Sequence, residues 1–101
     1  MTPKPEPSAG TGRTGWTFLT NHAHVLIALT RDPSARVRDL AQAVGITERA
    51  VHQILADLES SDVIVRVRTG RRNSYSVNPN VGLRHPMEAH RRVSDLLTLA
   101  R

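Results

Sequence analysis

Apolar residues recur at Leu40, Ala41 and Val44, and again at Val51, Leu55 and Leu58, spaced by three and four. That spacing predicts two helices, each with one buried face. Between them stands Val44-Gly45-Ile46, where Gly45 supplies the left-handed backbone of a sharp turn and Ile46 plugs the corner. Thr47 is placed to cap the later helix, and Glu48 falls in its first turn, where the helix dipole favours an acid. With Val51, Leu55 and Leu58 inward and Ile54 at the edge, Glu48, Arg49, His52, Gln53, Ala56 and Asp57 must face away from the core.

The flanking segments follow the same logic. Val25, Leu26 and Leu29 predict an earlier helix, begun at Thr20 or Asn21, with Arg31 suiting its negative end and Asp32-Pro33 stopping it. Ser34 to Val37 is expected to be a short extended piece or small strand. After Ser60 or Ser61 the period changes to two: Val65 and Val67 take one face of a hairpin, Arg66 and Arg68 the other. Thr69 to Asn73 forms the tip, where Gly70 and Asn73 can take positive φ. The return strand is Ser74 to Val77, with Tyr75 and Val77 inward, and Asn78-Pro79-Asn80 closes it. A last helix is expected from Pro86, suited to the first helical position, to about Ala100, with an apolar stripe of Ala89, Val93, Leu96, Leu97 and Ala100. Met1 to Gly15 is rich in Pro, Gly, Thr and Ser and reads as a disordered tail. The division is therefore a tail over 1–15, a folded domain over 16–84 and a C-terminal helix over 85–101, in a mainly helical α+β fold.

Composition sharpens the choice of partner. The 101 residues suffice for one domain with a modest core. A formal net charge of +5 favours a polyanionic partner. Its placement says more: from Val63 to Met87 there is no acid, while Arg66, Arg68, Arg71, Arg72 and Arg84 all fall there. Cysteine is absent, so no disulfide, thiolate metal site or cysteine nucleophile is possible. The apolar stretch Ala23 to Leu29 is too short to span a bilayer, and a cytoplasmic, nucleoid-associated protein is expected. No phosphate-binding Gly-rich loop, Gly-x-Ser-x-Gly elbow or paired carboxylate constellation stands out, so neither an enzyme nor a cofactor is expected. His22 and His24, and His85 and His90, lack chelating spacing and read as capping, packing or surface residues rather than metal ligands. Trp16, Phe18 and Tyr75 read as structural, which disfavours RNA binding by stacking.

The order helix, short strand, helix, turn, helix, basic hairpin, helix resembles the winged helix-turn-helix transcription regulators of the MarR and ArsR type. The likeness runs from about Leu19 to Asn78. LAQAVGITERAVHQILADLE is similar to their helix-turn-helix, with Leu40, Ala41, Gly45, Ile46, Val51, Leu55 and Leu58 at core places, and DVIVRVRTGRRNSYSV is similar to their wing. Asp62 stands where the family usually has a helix-ending glycine, and Arg36 where it often has a Ser or Thr cap. The cysteines of many metal-sensing relatives are missing. The resemblance implies duplex DNA as partner. Arg49 would then meet a guanine, Gln53 an adenine and His52 a base or phosphate, with Thr47 and the free N–H groups at the helix start beside a phosphate and Glu48 among the recognition-helix residues. Arg71 and Arg72 at the wing tip suit a minor groove, and Arg66, Arg68 and Asn73 the nearby backbone. A homodimer is expected through Val93, Leu96, Leu97 and Ala100, with Trp16, Phe18 and the first helix as further candidates, and a pseudo-palindromic site. The alternatives are a winged-helix protein-interaction module and a sequence-indifferent architectural DNA binder. No effector is legible.

Overall fold

The computed structural model describes residues 15–101. The tail expected over 1–15 lies, but for Gly15, outside the described residues. In chain order the elements are α1 (Asn21–Arg31), α2 (Val37–Val44), α3 (Glu48–Ser60), β1 (Ile64–Thr69), β2 (Arg72–Val77) and α4 (Val93–Leu99). The three longer helices pack on one another around Val25, Leu29, Leu40 and Val51, with Ile64 of β1 and Val93 of α4 completing the core. Ile54, expected at the edge, is buried with them.

Local chemistry explains the element ends. α1 starts after Thr20, whose side chain makes no capping bond, and stops at Asp32. Ser34 to Val37 forms no strand; Pro33 nevertheless accepts the Tyr75 N–H at 3.0 Å, so the segment lies along β2. Arg36 caps α2 without a side-chain acceptor, and Asp39 compensates by accepting the Arg36 N–H at 3.3 Å. Gly45, at φ 85°, ends α2, with the Ile46 N–H reaching back to Ala41. Asp62 does the same for α3 at φ 62°: its N–H bonds the Glu59 carbonyl and the Val63 N–H bonds Leu58. Leu58 and Val63 are both buried, which adds the apolar contact this helix ending favours.

The hairpin keeps the expected alternation and departs from expectation at its tip. The register pairs Ile64 with Val77, Arg66 with Tyr75 and Arg68 with Asn73. Directly opposed residues share a face, so Tyr75 and Val77 stand with Arg66 and Arg68, while Val65 and Val67 are exposed on the outer side. Ile64 is the buried anchor; Tyr75 and Val77 pack half-buried against the core on the same face, as expected, and Arg66 meets Glu59 of α3 there. The strands turn through Gly70-Arg71 alone, with Gly70 at φ 63° as a two-residue loop with glycine first demands. Arg72 is thus already in β2, and Asn73 keeps an ordinary φ.

The C-terminal helix is shorter than expected. Residues 86–92 are not helical. His85 instead accepts the Glu88 N–H at its carbonyl and the Met87 N–H at its Nδ1, while Gly82 pairs with Arg92. α4 begins after Arg92, whose N–H donates to Asp95 at 2.9 Å. Seven residues would not hold a helix alone. Burial of Val93, worth about 1.5–3 kcal/mol, with Leu96 and Leu97 against the core, keeps it in place.

Candidate nucleic-acid interface

Glu48, Arg49, His52 and Gln53 are all exposed on the outer face of α3. Arg49 and Gln53, four residues apart, stand one above the other. Thr47 caps the helix, its Oγ1 accepting the Ala50 N–H at 3.0 Å. The remaining N–H groups of the first turn make a favourable place for an anion.

Two acids lie in the second half of α3, and each is held by a neighbouring element. Toward α1, His22 Nε2 lies 2.7 Å from Asp57 Oδ2, and Gln53 Nε2 donates to Asp57 Oδ1 at 3.2 Å. An ionised carboxylate only accepts, so His22 Nε2 carries the hydrogen. The bonds from His22 and then Gln53 hold the Asp57 carboxyl below the ordinary carboxylate range. Toward the hairpin, Arg66 grips Glu59 through Nε and Nη2, both at 3.1 Å. This fork is the strong bidentate form of an ion pair, and it raises the Arg66 pKa further. Burial pushes the Tyr75 phenol up, with Arg66 partly countering.

The basic hairpin is therefore not uniformly open. Arg66 is committed to Glu59. Arg72 donates from Nη2 to the Ser34 carbonyl at 2.6 Å, and Arg68 from Nε to the Gly70 carbonyl at 3.3 Å. Arg49 and Arg71 enter no ion pair among the described residues. Arg71, Arg72 and Asn73 line a cleft of about 300 Å³ with Arg36, over an apolar floor that includes Leu40 and Leu55. Arg36, His22, Asp57 and Glu59 were not among the expected site residues. The repeat of Arg36-Val37-Arg38-Asp39 in Arg92-Val93-Ser94-Asp95 was a readable signal for the true start of α4. The pairs His22–Asp57 and Glu59–Arg66 join different elements and left no periodic trace.

Of the residues expected at a dimer interface, Val93 is buried in the chain's own core. Leu96 and Leu97 are half-buried against that core, and the Ala100 carbonyl accepts from Arg31 at 3.1 Å. Trp16 and Phe18, expected to be structural and also named as candidates for that interface, are exposed, at 76% and 90%, and stack edge to face. Leu99 is exposed as well. Among the described residues no group of three or more His, Asp or Glu could hold a metal, and no helix is long and apolar enough to cross a membrane.

Residues 20–65 match the model of a family described as winged helix-turn-helix DNA-binding. No curated protein matches the chain. The match spans α1 to the start of β1, so the hairpin tip lies beyond it. With its helix-turn-helix in α2 and α3 and its hairpin behind them, the chain has a mainly helical winged helix-turn-helix fold, and its helical part is similar to DNA-binding domains of that family.

Proposed function

We propose that the protein is a homodimeric transcription regulator of the MarR or ArsR kind that reads duplex DNA and represses by occluding a promoter. α3 enters the major groove with Arg49 and Gln53 toward base edges, and His52 with Thr47 and the free N–H groups of the first turn beside the backbone. The hairpin is the wing, with Arg71 at a neighbouring minor groove and Arg68, Arg72 and Asn73 along its approach. The observation that carries this reading is the outward stripe of Arg49 and Gln53 on the second helix of a helix-turn-helix, in a segment that matches a DNA-binding family.

Arg66 has a smaller part than the other wing arginines, because its charge is met by Glu59. The dimer reading rests on the apolar side chains left exposed, Trp16, Phe18 and Leu99, rather than on Val93. The test is selection from a random duplex pool, with competitor DNA, across a salt series, beside sedimentation for mass. Enrichment of a pseudo-palindrome by a dimer supports the proposal. Salt-sensitive binding without enrichment points to an architectural binder, and no binding at low salt to a protein-interaction module.

A further inference from the structure

We propose that Asp57 is a positioning residue for base readout: it fixes the side-chain amide of Gln53 in the orientation that reads adenine, and His22 holds Asp57 in place. The inference deepens the DNA-reading proposal and rests on it. Asp57 and Gln53 are one helical turn apart, and the Gln53 Nε2 to Asp57 Oδ1 distance is 3.2 Å. A carboxylate has no hydrogen to give, so it selects one of the two amide orientations, with NH₂ toward Asp57 and Oε1 away. One Nε2 hydrogen is used; the other, and Oε1, stay open. A donor beside an acceptor is the pair that the N7 and N6 edge of adenine requires. The far carboxylate oxygen meets His22 Nε2 at 2.7 Å, so the carboxylate is anchored by a second helix and not by α3 alone.

This assigns a use to an acid on a helix face that approaches a polyanion. An unconstrained glutamine presents its amide either way round and discriminates less between bases, whereas an oriented one has less rotamer freedom to lose on binding. Asp57 therefore lowers general affinity for DNA and raises choice among sequences.

Two measurements test the inference on the full chain. The first needs no DNA. Gln42 and Gln53 are the only glutamines, and Gln42 is exposed on α2, so it serves as an internal control for the side-chain NH₂ resonances. Asp57→Ala is expected to move the Gln53 NH₂ pair toward the Gln42 position, with Asp57→Asn retaining most of the difference. Coincident Gln53 and Gln42 signals in the unmodified protein overturn the inference.

The second measurement compares sequences selected from a random duplex pool by the unmodified protein, Gln53→Ala, Asp57→Ala and Asp57→Asn, each first shown to melt cooperatively. Gln53→Ala and Asp57→Ala are expected to lose preference at the same base pair, by about tenfold, while affinity for random duplex rises in Asp57→Ala. Asp57→Asn should keep the preference, since its carbonyl still accepts from Gln53. Substituting Gln53 in the Asp57→Ala background should cost little more, because the two act as one unit. Loss of preference in Gln53→Ala with none in Asp57→Ala overturns the positioning role and leaves DNA reading intact. A pool from which the unmodified protein enriches nothing overturns both.

Discussion

The two flanks of α3 solve one electrostatic problem with different chemistry. On the α1 side Asp57 is met by an imidazole and an amide; on the hairpin side Glu59 is met by a guanidinium through two parallel bonds. A guanidinium keeps its charge at every working pH and meets a carboxylate with two parallel N–H groups. The hairpin flank is thus a permanent ion pair that joins two elements. The α1 flank is a chain of single hydrogen bonds that ends on Gln53, on the outward face of α3. Acids in the far half of α3 serve as attachment points, and what they attach decides whether the effect falls on the hairpin or on the outward side chain of Gln53.

The largest effect should come from emptying the face between the flanks. Arg49→Ala is expected to weaken binding to the selected site by about 1–3 kcal/mol while changing binding to random duplex far less, measured by competition titration. Equal losses on both would show that Arg49 meets only phosphate. Next, Glu59→Gln should free Arg66, steepening the salt dependence of binding by about one unit of log–log slope. An unchanged slope would mean that Arg66 never reaches DNA even when released.

The α1 flank is best sharpened by titration. The Asp57 carboxyl is depressed by bonds that exist only in the folded chain, chiefly that from His22. Its stabilising contribution is therefore fully present above the ordinary carboxylate value of about 3.9, and is lost as pH falls through the lower folded value. A carbon-detected NMR titration should place the Asp57 midpoint below the ordinary value, and His22→Ala should raise it. A midpoint unmoved by His22→Ala would break the comparison. The smallest effect concerns the joint from which the hairpin flank departs. Asp62→Gly removes the cost of a side chain at positive φ and should stabilise the fold by up to about 1 kcal/mol, read by chemical denaturation, with DNA affinity unchanged.

Much of this architecture was legible because it is local. Gly45, Ile46, Thr47 and the Val51-Leu55-Leu58 spacing each act within a turn or two of chain, and helix 3 and its outward face follow from them. Asp62 in the left-handed region followed from the likeness to a family with glycine there. The errors arose where tertiary geometry decides. The hairpin alternates as period two demands, with Tyr75 and Val77 inward against the core, but alternation alone does not fix where the strands turn: Thr69, Arg72 and Asn73 are paired, and Gly70-Arg71 alone makes the tip. The stripe from Ala89 to Ala100 reads as one helix until the His85 turn and the Gly82–Arg92 bridge divide it. Exposure of Arg49, His52 and Gln53 was readable from spacing, whereas the bond from Gln53 to Asp57 gains its meaning from His22, thirty-five residues away.

The hairpin is tied to the rest of the fold at three points along its length: Tyr75 to Pro33, Arg72 to Ser34 and Arg66 to Glu59. These ties run to both ends of the helix-turn-helix, before α2 and near the end of α3. Three attachments that do not lie on one line remove the freedom of a ribbon to hinge. The tip and the outer face of α3 then behave as the two jaws of a caliper set to one opening. A surface that engages both jaws must bring its two contacts at that spacing or bend to do so, so the fold carries a built-in measure of length independent of any single side chain.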